Sequence, residues 1–266
     1  MWAQLVDFAT TWAHVRGEGG RGGRSGAARA PAGCSSLASL MTKLDVSVDG
    51  VRLACYVSGA AGAPPLVLLH GLGSRASTWD TVAEEFAKHF RVVAIDQRGH
   101  GDSDRPGEYS FELMRDDVLG VLDQLGLDRI DLIGHSMGGT VAYLIAEKEP
   151  GRIGRLILED TPPPFPAGRI AAKRPDEPVP FDAALVPAII GQLNDPDPAW
   201  WEGLAEITAK TLIIAGGPGS HVPQDKIAEA AARVPGGRLQ VIPVGHQVHA
   251  TRPAEFAATA LDFLLA

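Results

Sequence analysis

A chain of 266 residues with 45% apolar content can bury one large core and has little left over for a second. Its 24 basic residues against 32 acidic ones give a formal charge of −8, which repels phosphate backbones and anionic membrane surfaces and argues against a nucleic-acid partner. Cys34 and Cys55 are the only cysteines and lack C-x-x-C or His-rich spacing, so neither a disulfide framework nor a zinc site is expected and both thiols read as inert.

Taken from the N-terminus, residues 1–40 stand apart from the rest. The stretch 16–32 is mostly Gly, Arg and Ala with one Pro and has neither helical nor strand period, which predicts a disordered extension. An organelle-targeting leader is the alternative for an Arg-rich segment, although Glu18 and the glycine density oppose an amphipathic helix. Met41 is a candidate natural start, because patterned sequence begins at Leu44; native peptides from residues 1–40 would refute that. With no apolar run of 18 residues and no secretory leader, the expectation is a soluble cytoplasmic protein. One domain over 41–266 follows.

That domain punctuates itself regularly. Strands are predicted over 44–48 and 51–57 around Asp49-Gly50, a dipeptide suited to a tight hairpin turn. Short β-rich runs follow at 66–69, 92–95, 130–133, 156–158, 212–214 and 239–242, which makes eight strands in all. Apolar runs of this kind suit a mostly parallel sheet covered on both faces. Between them, Phe111, Met114, Val118, Leu122 and Leu125 recur at steps of three and four behind a Ser110 cap, and Gly126 ends that helix. The last helix begins at Pro253 and presents Phe256, Ala260, Phe263 and Leu264. The pattern is an α/β one, with helices on both faces of the sheet.

Gly134-His135-Ser136-Met137-Gly138 matches G-x-S-x-G and falls between the run 130–133 and a helix-compatible segment from Gly139. A serine there occupies a tight turn in which the two glycines relieve clashes, and its hydroxyl projects from the sheet's carboxyl edge, where open α/β sheets bind ligands. Here the sequence resembles the α/β-hydrolase fold family, in its serine esterase and cofactor-free haloperoxidase-like branch, from about Leu44 onward. His70-Gly71-Leu72-Gly73 is similar to the family's oxyanion loop, which implies that the backbone N–H groups of Leu72 and Met137 form the oxyanion hole. Asp96 to Ser103, read as D-Q-R-G-H-G-D-S, is similar to the family's structural turn after the next strand. Gly245-His246 falls at the position of the family's histidine.

A serine hydroxyl is a weak nucleophile, and a neutral imidazole can take its proton and later return it to the leaving group. His246 is assigned that task, His249 is read as a wall or packing residue, and His221 lies near the same sheet edge. The acid departs from the family pattern: Gly216-Gly217-Pro218-Gly219-Ser220-His221 holds none, and the usual slot falls on Gly219. Asp160, after the strand 156–158, is favoured over Glu159 and Asp225 because the order Ser, acid, His survives; a structural or pocket role is its other reading. Residues 161–209 are proline-rich and read as a reduced cap, with a short helix over 183–193. His70, His135, Trp200 and Trp201 are candidate pocket residues, plain packing being the alternative for the tryptophans.

The resemblance implies hydrolysis of an ester, lactone or similar acyl bond of a small, fairly apolar molecule, without cofactor or metal. Perhydrolysis and carbon–carbon bond hydrolysis share the same residues, and a weakly catalytic, receptor-like binding protein is the alternative from a different class. The family's dehalogenases and epoxide hydrolases carry an aspartate where this chain has Ser136, which disfavours those activities.

Overall fold

The computed structural model describes residues 41–166 and 179–266; the extension over 1–40 and residues 167–178, with Pro175 and Pro178, lie outside the described residues. Strands β1 (Thr42–Val48) and β2 (Val51–Ser58) form the expected hairpin. Asp49 and Gly50 both take positive φ, 47° and 85°, the twist that lets a two-residue turn join antiparallel strands without splaying them. After them come β3 (Pro65–Leu69), β4 (Arg91–Ile95), β5 (Ile130–His135), β6 (Ile153–Glu159), β7 (Lys210–Ala215) and β8 (Arg238–Val241). They build one eight-stranded sheet in the order β1-β2-β4-β3-β5-β6-β7-β8, antiparallel at β1/β2 and β2/β4 and parallel from there on.

Period-two alternation sends successive side chains to opposite faces. Val67, Leu69, Leu156, Leu158 and Ile213 join one buried cluster, with α2 (Phe111–Gln124), α3 (Met137–Lys148) and α6 (Gln224–Arg233) over it. Leu66, Leu68, Ile157, Leu212 and Ile214 join the other, under α1 (Asp80–Phe86) and α8 (Pro253–Leu265). Ser110 caps α2, its hydroxyl accepting from the Leu113 N–H at 3.1 Å. One expectation fails at the margin: β8 is exposed along its whole length, with Leu239 and Val241 among the exposed large hydrophobic residues. As the edge strand it has a neighbour on one side only, so an apolar run there does not signify burial.

Between β6 and β7 run α4 (Leu185–Asn194) and the short α5 (Pro198–Gly203), whose Asp197 cap accepts from the Ala199 N–H. The chain leaves β3 for β4 on one side and returns to β5 on the other, so the sheet has its topological switch point at β3/β5. The loops after these two strands diverge from adjacent strand ends and leave a crevice.

Candidate active site

Register brings the site residues together. Leu69 pairs with Gly134, His135 with Glu159, and Glu159 with Ile214, so the segments after β3, β5, β6 and β7 leave the sheet side by side. Ser136 follows β5 at φ 53° and ψ −119°, a strained conformation held because Ser136 N–H donates to the Glu159 carbonyl while α3 starts at the next residue. The flanking glycines are required by contact: a Cβ on Gly134 would lie 2.4 Å from the Gly138 carbonyl oxygen, and one on Gly138 would lie 2.3 Å from that of Leu69.

Asp160 sits fully buried at the end of β6, also at positive φ, 41°. Its Oδ2 lies 2.7 Å from His246 Nδ1, and His246 Nε2 lies 2.9 Å from Ser136 Oγ. A carboxylate on Nδ1 keeps that nitrogen protonated and leaves Nε2 as the acceptor for the serine hydroxyl. Burial works against the charged Asp160, but His246 facing it, the Ser220 hydroxyl and the Gly216 N–H, which donates to Oδ1 at 2.8 Å, outweigh that and hold its carboxyl below the usual range. Gly219 offers no acid, yet a Cβ there would meet only Gly245 backbone, at 3.5 Å, so a side chain fits. Asp225 is in the first turn of α6, away from this chain of contacts.

The loop after β3 is built from below by histidines. His70 is completely buried, with Nε2 accepting from the Gln97 N–H at 3.1 Å and Nδ1 2.8 Å from the Gly71 carbonyl. His100, also buried, accepts from the Gly73 N–H at 3.1 Å. Desolvation pushes both imidazoles below their ordinary pKa, which keeps them neutral and able to accept. Among the described residues, neither the Leu72 nor the Met137 N–H meets a protein acceptor. The loop touches the turn itself, since a Cβ on Gly71 would come 3.2 Å from Ser136 Cβ. His100 and Phe181 were not among the sequence candidates; Phe181 stacks on His100 at 5.8 Å and lies against Gly73, which places an apolar ring over the loop.

Beneath His246 lies a second group. His135 Nε2 is 2.8 Å from the His246 carbonyl oxygen, and burial pushes its pKa down to about 3. His249 and Glu159, both buried, are joined by three contacts of 2.8–2.9 Å. These three residues bring ligand-type atoms within 4.8 Å of one another, but Glu159 is taken up by His249 and His135 Nε2 by a carbonyl. His221 packs against His246 with ring centroids 4.1 Å apart and the planes tilted by 55°, and desolvation together with that neighbour pushes its pKa down to about 4. Trp200 packs edge-on against Phe111 in the core, and Trp201 lies against Phe165 with Arg233 over its ring; none of these neighbours belongs to the serine–histidine site. Burial pushes the Cys55 thiol up to about 12, so it is not a competing nucleophile.

A family model described as "alpha/beta hydrolase fold" matches residues 64–188. With the eight-stranded sheet and the serine turn after β5, this decides the fold. The chain has the α/β-hydrolase fold. Among solved structures, the chain superposes on a hydrolase from Pseudomonas aeruginosa PA01 with TM-score 0.73 and 28% identity, covering 85% of this chain and 99% of the other. It superposes on the enol-lactonase from Burkholderia xenovorans LB400 with TM-score 0.72 and 26% identity, covering 84% and 100%. In sequence it is 38% identical over 144 residues to epoxide hydrolase 4 of Mus musculus, 52% of this chain and 40% of that protein. At that level of identity the chain spans about two fifths of the length of its curated relatives. Among the described residues no helix is long and apolar enough to cross a membrane.

Proposed function

We propose that this hydrolase cleaves an ester, lactone or similar acyl bond through an acyl-enzyme on Ser136. The observation that carries the reading is the unbroken chain Ser136 Oγ, His246 Nε2, His246 Nδ1, Asp160 Oδ2, with separations of 2.9 and 2.7 Å. His246 takes the hydroxyl proton as Ser136 Oγ adds to the substrate carbonyl carbon, and the carbonyl π pair moves to oxygen. The N–H groups of Leu72 and Met137 meet that oxyanion, Met137 at the positive end of α3. When the intermediate collapses the alcohol leaves with the proton from His246, and water repeats the sequence to release the acid. Phe181 over the loop favours a small, fairly apolar substrate.

Epoxide opening, the activity in one relative's name, is a poorer fit to a serine. Attack by Ser136 would leave an alkyl ether, which has no carbonyl at which water can add. A fluorophosphonate probe followed by p-nitrophenyl esters of increasing acyl length tests the proposal. Stoichiometric labelling that is lost in Ser136→Ala, with turnover highest on short acyl chains, is the expected result. An unlabelled wild-type protein would overturn it and favour a binding role.

A further inference from the structure

Glu159 is a carboxylate with no exposed surface, one residue from the acid of the proposed site, and the reaction above makes no use of it. Burying such a group costs several kcal/mol unless it is paired. Its pairing is complete: His249 donates its backbone N–H to Oε1 at 2.9 Å, and His249 Nδ1 lies 2.9 and 2.8 Å from the two oxygens. On the far side of the ring His249 Nε2 is 2.9 Å from Thr78 Oγ1, and Trp79 covers one face at a centroid distance of 4.2 Å. Burial opposes the charged form of Glu159, but His249 and His135 facing it hold the carboxyl below its ordinary range.

His249 belongs to the short helix α7 (Val248–Thr251), three residues beyond His246. Between β8 and that helix the backbone is tied by Ile242 N–H to Ala215, Val244 N–H to Ile242 and Gly245 N–H to Gly216, and none of these three bonds is made by His246 itself. His246 itself is gripped at its carbonyl oxygen by His135 Nε2, and His135 is the Cα partner of Glu159 across β5/β6. So Glu159 fixes the chain just after His246, His135 fixes its backbone, and Asp160 fixes its ring. Consecutive residues of one strand end thereby hold two histidines of one loop. We propose that Glu159, His249 and Thr78 form a positioning anchor for His246, setting the imidazole in line with Ser136 without touching substrate. Reaction geometry is sensitive enough for this to matter, since a misplacement of about 1 Å can cost ~100-fold in rate.

This inference rests on the proposed acyl chemistry, and the experiment separates the two. Turnover of p-nitrophenyl acetate and fluorophosphonate labelling are measured for the wild-type chain, Ser136→Ala, Glu159→Gln and the apolar pair Glu159→Leu/His249→Phe. Glu159→Gln is expected to lower kcat by about 10–100-fold with KM within about twofold, and to broaden the downfield proton signal of His246 Nδ1–H in the NMR spectrum. The apolar pair, which replaces the buried polar contact by packing, is expected to keep a cooperative melting transition and still lose kcat. It decides the matter should Glu159→Gln fail to fold. Wild-type kcat in a folded Glu159→Gln chain or in the apolar pair overturns the anchor alone. A wild-type chain that neither labels nor turns over overturns the acyl reading, and the anchor falls with it.

Discussion

Two chains of hydroxyl, imidazole and carboxylate run side by side here, Ser136–His246–Asp160 and Thr78–His249–Glu159, with nearly equal separations. Their surroundings differ. Ser136 opens α3 beside two N–H groups that no protein acceptor uses, whereas around Thr78 the Ala76 N–H is taken by Asp96 Oδ1 at 2.6 Å and the Thr78 N–H by the Arg75 carbonyl. The His246 side chain keeps 20% of its surface and that of His249 1%. The three groups alone do not make a nucleophile; free donors for the developing oxyanion and room for substrate and water do.

The largest effect should come from removing each hydroxyl in turn. Ser136→Ala is expected to lower ester turnover by about five to six orders of magnitude, as loss of the attacking atom does in serine hydrolases, and Thr78→Val by no more than about tenfold. Mass spectrometry after fluorophosphonate treatment should place the label on Ser136 alone; a label on Thr78 would erase the distinction. Next is the acid. Asp160→Asn is expected to cost about four orders of magnitude in kcat, and adding Gly219→Asp to restore part of it, because Gly219 has space for a side chain beside Gly245. Near-normal turnover of Asp160→Asn would show that backbone or solvent orients His246.

Much of this was legible in the sequence, because local rules govern it. Alternating apolar runs mark strands that alternate between two cores, and Ser136 announces itself through glycines demanded by close contacts one turn away. Asp160 is the favoured acid in the sequence because the Gly219 slot is empty and the order Ser, acid, His survives, but its position beside His246 depends on register across three strands. The Glu159–His249 contact spans 90 residues and has no spacing signature, so His249 is legible only as a wall or packing residue. His100 was hidden inside a turn whose glycines and aspartate suggested backbone geometry alone.

Smaller effects test the support of each chain. His135 is held neutral, its pKa pushed down to about 3, while in the unfolded chain it titrates near 6.5. Between those values the unfolded state binds the extra proton, so stability falls as pH drops through that window. Urea melts of His135→Gln should show a slope with pH shallower by up to a few kcal/mol over the window; an unchanged slope would mean that His135 takes its proton in the folded protein. A small change is also expected of Ser220→Ala, which removes a hydroxyl donated to Asp160 Oδ2. Losing one hydrogen bond to a charged acceptor should cost about tenfold in kcat, and a loss beyond ~100-fold would point to a collapsed acid loop.

The placement of Asp160 after β6 also bears on the order in which the proposed site assembles. The loop after β3, Ser136 and Asp160 all lie within residues 70–160, on neighbouring strand ends, whereas His246 joins Ser136 and Asp160 across sequence separations of 110 and 86 residues. Contacts that distant close slowly. Regain of hydrolytic activity after dilution from denaturant is therefore expected to report the docking of the last stretch of chain, and to rise together with the burial of Trp79, whose ring packs against His249 and Phe256 of that same stretch.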